Sequence, residues 1–102
     1  MKYQLDWTEP ASCDLEKIDR YLRRRNPAAA ERMGEGLLRR ARLLETQPEL
    51  GRPYDEEPSY RVLSHRGYKI FYRVKHEGRV VEIAHVRHGA RDNPTLDDLL
   101  TD

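Results

Sequence analysis

Apolar positions along the 102-residue chain change period twice, from two to about 3.6 and back to two. Tyr3, Leu5 and Trp7 alternate with Gln4 and Asp6, which predicts a short strand with one buried face. Thr8 supplies an N-cap and Pro10 falls in a first helical turn. Ala11, Leu15, Ile18 and Leu22 then recur at intervals of four, three and four, which places them on one stripe of a helix running to about Arg25. Asn26–Pro27 ends that helix and opens another. The second helix carries Ala30, Met33, Leu37, Ala41 and Leu44 on one face, with Leu38 beside them, and stops by Pro48. Gly34 and Gly36 each weaken it by about 1 kcal/mol, a loss that close packing against the first helix would explain. The short joint makes the pair an antiparallel hairpin.

From Glu49 to Ser59 the prolines and Gly51 read as a loop. Three strands follow. Tyr60–Ser64 is short, and His65–Arg66–Gly67 turns the chain. Tyr68, Ile70, Tyr72 and Val74 alternate with Lys69, Phe71 and Arg73. Glu77–Gly78 makes a hairpin turn, and the last strand runs from Arg79 to about His88, closed by Gly89. Thr95–Leu100 reads as one helical turn with Thr95 as its cap. The order β-α-α-β-β-β predicts an α+β two-layer sandwich, a helical hairpin on an antiparallel-rich sheet, built as one domain over 1–102 with 93–102 as a short tail.

Composition narrows the function classes. Apolar residues are 37% and charged residues 36% of the chain, with a formal net charge of +1, so overall charge predicts no strong field for nucleic acid. No apolar run reaches the roughly 18 residues of a membrane span, and Met1–Lys2–Tyr3–Gln4–Leu5 does not read as a signal peptide. The lone Cys13 has no partner for a disulfide, in keeping with a reducing cytoplasm, and reads as a bystander on the first helix. No His pair has metal-ligand spacing, so neither a metal nor a cofactor is expected.

Several segments, in order, are similar to those of a known group: Asp14–Leu15–Glu16–Lys17–Ile18, Asn26–Pro27–Ala28–Ala29–Ala30–Glu31–Arg32, Pro48–Glu49–Leu50–Gly51–Arg52–Pro53, Tyr60–Arg61–Val62, Gly67–Tyr68–Lys69–Ile70–Phe71–Tyr72–Arg73–Val74 and Ala84–His85–Val86–Arg87–His88–Gly89–Ala90–Arg91–Asp92. Over roughly residues 3 to 92 the chain resembles the RelE/ParE toxin superfamily, on its ParE side. The resemblance implies a small toxin of a bacterial type II toxin–antitoxin system, acting in growth inhibition and plasmid stabilisation and neutralised by a ParD-like antitoxin. It also implies one of two activities. ParE-like members poison DNA gyrase, and RelE-like members cut mRNA in the ribosomal A site.

RNA cleavage through the 2′-hydroxyl needs a base, an acid and cations for the developing phosphate charge. If the chain is RelE-like, the resemblance assigns these roles to Arg61, Lys69, His88 and Arg91. Leu63 stands where a second basic residue is expected, and Asn93–Pro94–Thr95–Leu96–Asp97–Asp98 lacks the C-terminal Tyr, so both departures argue against cleavage. Strand parity puts Glu82 on the same face as His88, as a possible acid–base pair, with His85 and Arg87 on the other face. The bland alternative is that His88 closes the strand on backbone groups. His76 falls at a hairpin turn and reads as solvated.

For target or antitoxin binding the candidates are Arg61, Lys69, Phe71, Arg73, Arg87 and Arg91, a cationic sheet face that would receive RNA or an acidic protein segment. The competing reading is ordinary solubilising charge. Phe71 between Lys69 and Arg73 suggests a covered surface, with an antitoxin as one cover. Arg20, Arg23, Arg24 and Arg25 suit the negative end of the first helix, and Arg39, Arg40 and Arg42 give the second a basic flank. Such runs are commonly solvated faces; functionally they would meet an acidic antitoxin segment. Tyr3, Trp7 and Tyr54 read as core or core-edge aromatics. Three readings therefore compete: a gyrase poison, a ribosome-dependent endonuclease, and a degenerate toxin that keeps only antitoxin binding. A homodimer or toxin–antitoxin hetero-oligomer remains open, since an exposed first or last strand can pair with another chain.

Overall fold

The computed structural model describes residues 2–89 and Leu99. Strand β1 (Gln4–Trp7) leads into helix α1 (Glu9–Arg25) and helix α2 (Pro27–Arg42), which ends in a 3-10 turn, Leu43–Glu45. Four strands follow: β2 (Arg52–Tyr54), β3 (Glu57–His65), β4 (Tyr68–Lys75) and β5 (Val80–His88). The sheet order is β1-β5-β4-β3-β2, antiparallel throughout except for the parallel pair β1–β5. The expected α+β sandwich is present, with one strand more than the sequence suggested. That strand, β2, lies inside the segment read as loop, and β3 begins at Glu57 rather than Tyr60. Pro53 is tolerated because β2 is an edge strand, where a missing amide breaks no central ladder. The last strand is not an edge: β5 lies between β1 and β4, so the open edges belong to β1 and β2. Of the helical turn expected at Thr95–Leu100, only Leu99, which is helical, lies within the described residues.

The helix boundaries follow the capping residues. Thr8 accepts a hydrogen bond from the Ala11 amide at 3.3 Å. Asn26 serves both helices: its amide donates to Leu22 O at 2.8 Å, and its Oδ1 accepts from the Ala29 amide at 3.2 Å. The main core lies between helices and sheet. Leu37 and Leu44 meet Ile70, Tyr72, Val81, Ile83 and Val86, all with 2% exposure or less. Each such aliphatic side chain contributes about 1.5–3 kcal/mol on burial. Gly36 is also a close-approach point, but its neighbour is not α1. A Cβ there would come within 2.6 Å of His65 Nε2, whereas Gly34 has open space around it.

The opposite sheet face holds a second, smaller core of Tyr54, Tyr60, Val62, Phe71, Ala84 and Leu99. One irregularity determines which β5 residues reach it. Phe71 pairs with His85 but Tyr72 pairs with Ile83, so Ala84 is an extra residue, a β-bulge. Val81 and Ile83 face the helices before the bulge, and Val86 does so after it. The alternation of side chains is therefore shifted by one beyond Ala84.

Beyond Trp7 the strand β1 no longer covers β5, and the start of α1 takes over. The Thr8 amide donates to Ile83 O at 3.2 Å, and its hydroxyl donates to Ile83 O at 2.8 Å and Ala84 O at 3.2 Å. One turn on, Asp14 Oδ2 accepts the Val86 amide at 3.0 Å. Two side chains of α1's first turns thus satisfy a strand edge that would otherwise present unpaired groups.

Candidate functional site

Pairing register assigns each candidate residue to a face, since directly opposed residues share one. Lys69, Phe71 and Arg73 lie on the face away from the helices, with Ser64 and Arg87 opposite Lys69 and Glu82 opposite Arg73. Arg61 does not join them. It pairs with Tyr72, a residue of the helix-side core.

The outward cations are largely engaged within the chain. Arg73 donates to Glu82 Oε1 at 2.8 Å and lies 5.3 Å from the centre of the Tyr60 ring, and Lys75 donates to Glu82 Oε2 at 3.1 Å. Arg87 Nε is 3.5 Å from Asp14 Oδ2. Lys69 forms no ion pair among the described residues. Burial alone would raise the Glu82 pKa, but hydrogen bonds from Lys75 and Arg73, with their charges, outweigh it and hold the carboxyl below its ordinary value of 4.5. A lowered folded pKa means stability that is complete above the ordinary value and is lost as pH falls through the folded one. Acid unfolding followed by circular dichroism should therefore show Glu82→Gln less stable by about 1–2 kcal/mol at neutral pH, with the gap closing on acidification.

Arg61 is a loop anchor. Its guanidinium donates to Gly51 O at 2.7 Å and to Glu49 O at 3.4 Å. The Gly51 amide in turn donates to the buried Tyr72 hydroxyl at 2.8 Å. Pro48–Pro53 is thereby tied to β3 and β4 by both polar groups of a single peptide residue.

His88 is exposed at the end of β5 and stacks edge-on against Tyr68, ring centres 5.2 Å apart. Tyr68 belongs to the helix-side core, so His88 is on that side, while Glu82 is on the other. The parity that paired them is broken by the Ala84 bulge. Arg61 and His88 oppose Tyr72 and Tyr68, which are four residues, about 13 Å, apart along β4. Lys69 is on the far face, and Arg91 lies outside the described residues. The described members of the nuclease set thus do not converge. His85 is buried, with Nδ1 3.0 Å from Asp14 Oδ2, a contact between α1 and β5. His76 is exposed yet hydrogen-bonded to the Tyr3 hydroxyl at 2.8 Å. Phe71 is covered, as expected, but by this chain's own Tyr54, Tyr60 and Leu99, and is fully buried. Tyr54 likewise belongs to a core, and Tyr3 and Trp7 pack against the edge of the other.

Two concavities lie on the helix side. A groove of about 350 Å³ runs between the helices, lined by Leu15, Ile18, Ala30, Gly34, Leu37 and Leu38. Leu15 and Ile18 are only half-buried, and Leu38 is 42% exposed. The stripe that marks α1 in the sequence is therefore incompletely covered by the fold. A second cleft of about 530 Å³ separates α1 from the ends of β4 and β5, with Tyr21, Tyr68 and His88 on its walls and Lys17 and Arg87 at its charged margin. Neither is legible in the sequence, because both depend on how far α1 sits from its neighbours. No helix among the described residues is long and apolar enough to cross a membrane. No group of three or more His, Cys, Asp or Glu side chains gathers among them as metal ligands would.

The profile of a family described as ParE toxin of type II toxin-antitoxin system, parDE, matches residues 5–93. The chain belongs to the ParE toxin family. The matched region includes both helices, β2 to β5, β1 from Leu5 onward, and Arg61, Lys69, Phe71, Arg73, Arg87, His88 and Arg91. No curated protein matches the chain. Among solved structures, this ParE-family toxin is similar to a chain of the chromosomal ParDE system of P. aeruginosa, with TM-score 0.74 and 24% identity over 86% of this chain and 97% of that one. It is also similar to a chain of the RelBE2 toxin–antitoxin complex of Mycobacterium tuberculosis, with TM-score 0.58 and 26% identity over 86% and 99%. A chain of the intact E. coli RelBE complex gives TM-score 0.58 and 22% identity over 87% and 99%. The fold is thus shared across ParDE and RelBE systems, and the ParE assignment rests on the family match.

Proposed function

We propose that this ParE-type toxin acts by binding and inhibiting DNA gyrase, and that a ParD-like antitoxin neutralises it. The observation that carries the reading is the ParE family match over residues 5–93. The separation of Arg61, Lys69 and His88 over two faces and about 13 Å of strand supports a mode of action through protein contact, without nucleolytic chemistry. An antitoxin partner is supported by the similar chains in RelBE complexes. The half-covered groove between α1 and α2 suits an amphipathic antitoxin helix, whose apolar face would complete the burial of Leu15, Ile18 and Leu38.

The test is supercoiling by purified gyrase titrated with the toxin alone and then with its antitoxin. Inhibition reversed by the antitoxin is the expected result. No inhibition, from folded protein that arrests growth in cells, would overturn the reading. The target would then be sought in ribosome-bound mRNA, with Arg61, Lys69, His88 and Arg91 tested as its cleavage residues. Folded protein that binds antitoxin without arresting growth would instead mark a degenerate toxin.

A further inference from the structure

Arg32 and Arg39 lie seven residues apart on α2, two turns or about 10 Å along the helix. With Arg66, from the turn between β3 and β4, they line an open depression of about 660 Å³. All three side chains are exposed, and none forms an ion pair among the described residues. This contrasts with Arg73, Lys75 and Arg87, whose charges meet Glu82 or Asp14. The neighbouring Arg40 is held away, donating to Ser64 O at 3.1 Å. Among the described residues, only Glu35 brings an acid to the depression. Arg66 sits at φ +46° in a two-residue turn with Gly67 at φ +85°, a left-handed position where Asn or Gly is the easier occupant.

The floor is apolar in part. The half-buried Ala29 and Met33 supply that apolar part, beside Gly36. The imidazole of His65 packs on Gly36, and burial, then the charges of Arg66, Arg40 and Arg39, lower its pKa. We infer that this depression is a docking site for an acidic segment of a protein partner, with one or two apolar side chains on Ala29 and Met33 and carboxylates on Arg32, Arg39 and Arg66. Guanidinium forks pair with carboxylates bidentately, and their stems extend the apolar floor. Phosphate backbone would satisfy the same cations, but it has no use for the floor. A net charge of +1 also supplies no wider field to hold a polyanion. The site lies apart from the groove between α1 and α2, and the inference stands whether or not gyrase is the target.

The experiment uses the purified full chain and a short labelled peptide in which two leucines are flanked by glutamates, followed by fluorescence anisotropy. Arg39→Glu with Arg66→Glu should weaken peptide binding by about tenfold or more. The same charge change at Arg24 and Arg42, exposed elsewhere, should leave it within about twofold. If the reversed variant does not fold, Arg39→Gln with Arg66→Asn decides, since Asn suits the left-handed turn. Bound carboxylates also raise the pKa of His65, so its ring signals should titrate at higher pH with peptide present, read by NMR. Absence of peptide binding, equal binding by the reversed variant, an unmoved His65 titration, or tighter binding of a single-stranded oligonucleotide of matched charge would each overturn the proposal.

Discussion

Replacing Gly51 with alanine should destabilise the fold by about 2–4 kcal/mol, a drop on the order of 10–20 °C in Tm for a domain of this size. An added Cβ would stand 2.6 Å from Val62 O and 2.9 Å from the Tyr72 hydroxyl, too close for any real contact. The first of these atoms is backbone of a central strand and cannot move aside cheaply. Any retreat of the loop stretches the bond from the Gly51 amide to Tyr72, leaving a buried hydroxyl without its 2.8 Å partner. It also draws Gly51 O from Arg61. Tyr72→Phe removes only the hydrogen bond and should cost less, about 1–2 kcal/mol. Urea unfolding of the two variants beside the parent measures both. Equal, small losses would show that the loop yields more easily than its contacts imply.

The second large effect is expected at Asp14. Alanine there removes the acceptor of the Val86 amide and the partner of His85 Nδ1 and Arg87 together. The amide sits where β1 has ended and, among the described residues, no other strand covers that edge of β5. An unpaired buried amide, with a charge partner lost beside it, predicts about 2–4 kcal/mol. Asparagine keeps an oxygen for the amide and should recover part of that loss, which separates hydrogen bonding from charge. Hydrogen exchange gives the local check: protection of the Val86 amide should fall far more in Asp14→Ala than in Asp14→Asn. Unchanged protection in the alanine variant would mean that another acceptor holds the amide.

Those two residues show what could be read from the sequence and what could not. Asp14 and Gly51 both stand in segments that carry the family resemblance, yet their roles appear only when β5, β3 and β4 are brought beside them. The helices were legible because the spacing of Ala11, Leu15, Ile18 and Leu22 and the caps Thr8 and Asn26 are local signals. Strand β2 was not, because three residues with a central proline carry no period of their own; pairing with β3 makes them a strand. Phe71 could be recognised as covered from its place between two cations. Its cover could not, because Tyr54 and Tyr60 reach it by tertiary packing. The pairing of Glu82 with His88 failed for a narrower reason. Counting by two along a strand assumes an unbroken ladder, and one extra residue at Ala84 reverses the count. The basic residues of α2 were visible as a run. Which of them lack an acid depended on the arrangement of α2 and the β3–β4 turn.

The parallel pairing of β1 with β5 has a consequence for the order of events at synthesis. Gln4 finds its partner only at Val80, and Thr8 caps α1 while bonded to Ile83 and Ala84. Closing so long a loop is slow until the intervening hairpins shorten it. A nascent chain can thus form its helices and the β3–β4 hairpin while its first strand waits, unpaired, for β5 to follow them. Strand β1 is then the last part of the sheet to be fixed, so the interval before it closes on β5 is the one in which a chaperone or a partner meets the fold incomplete.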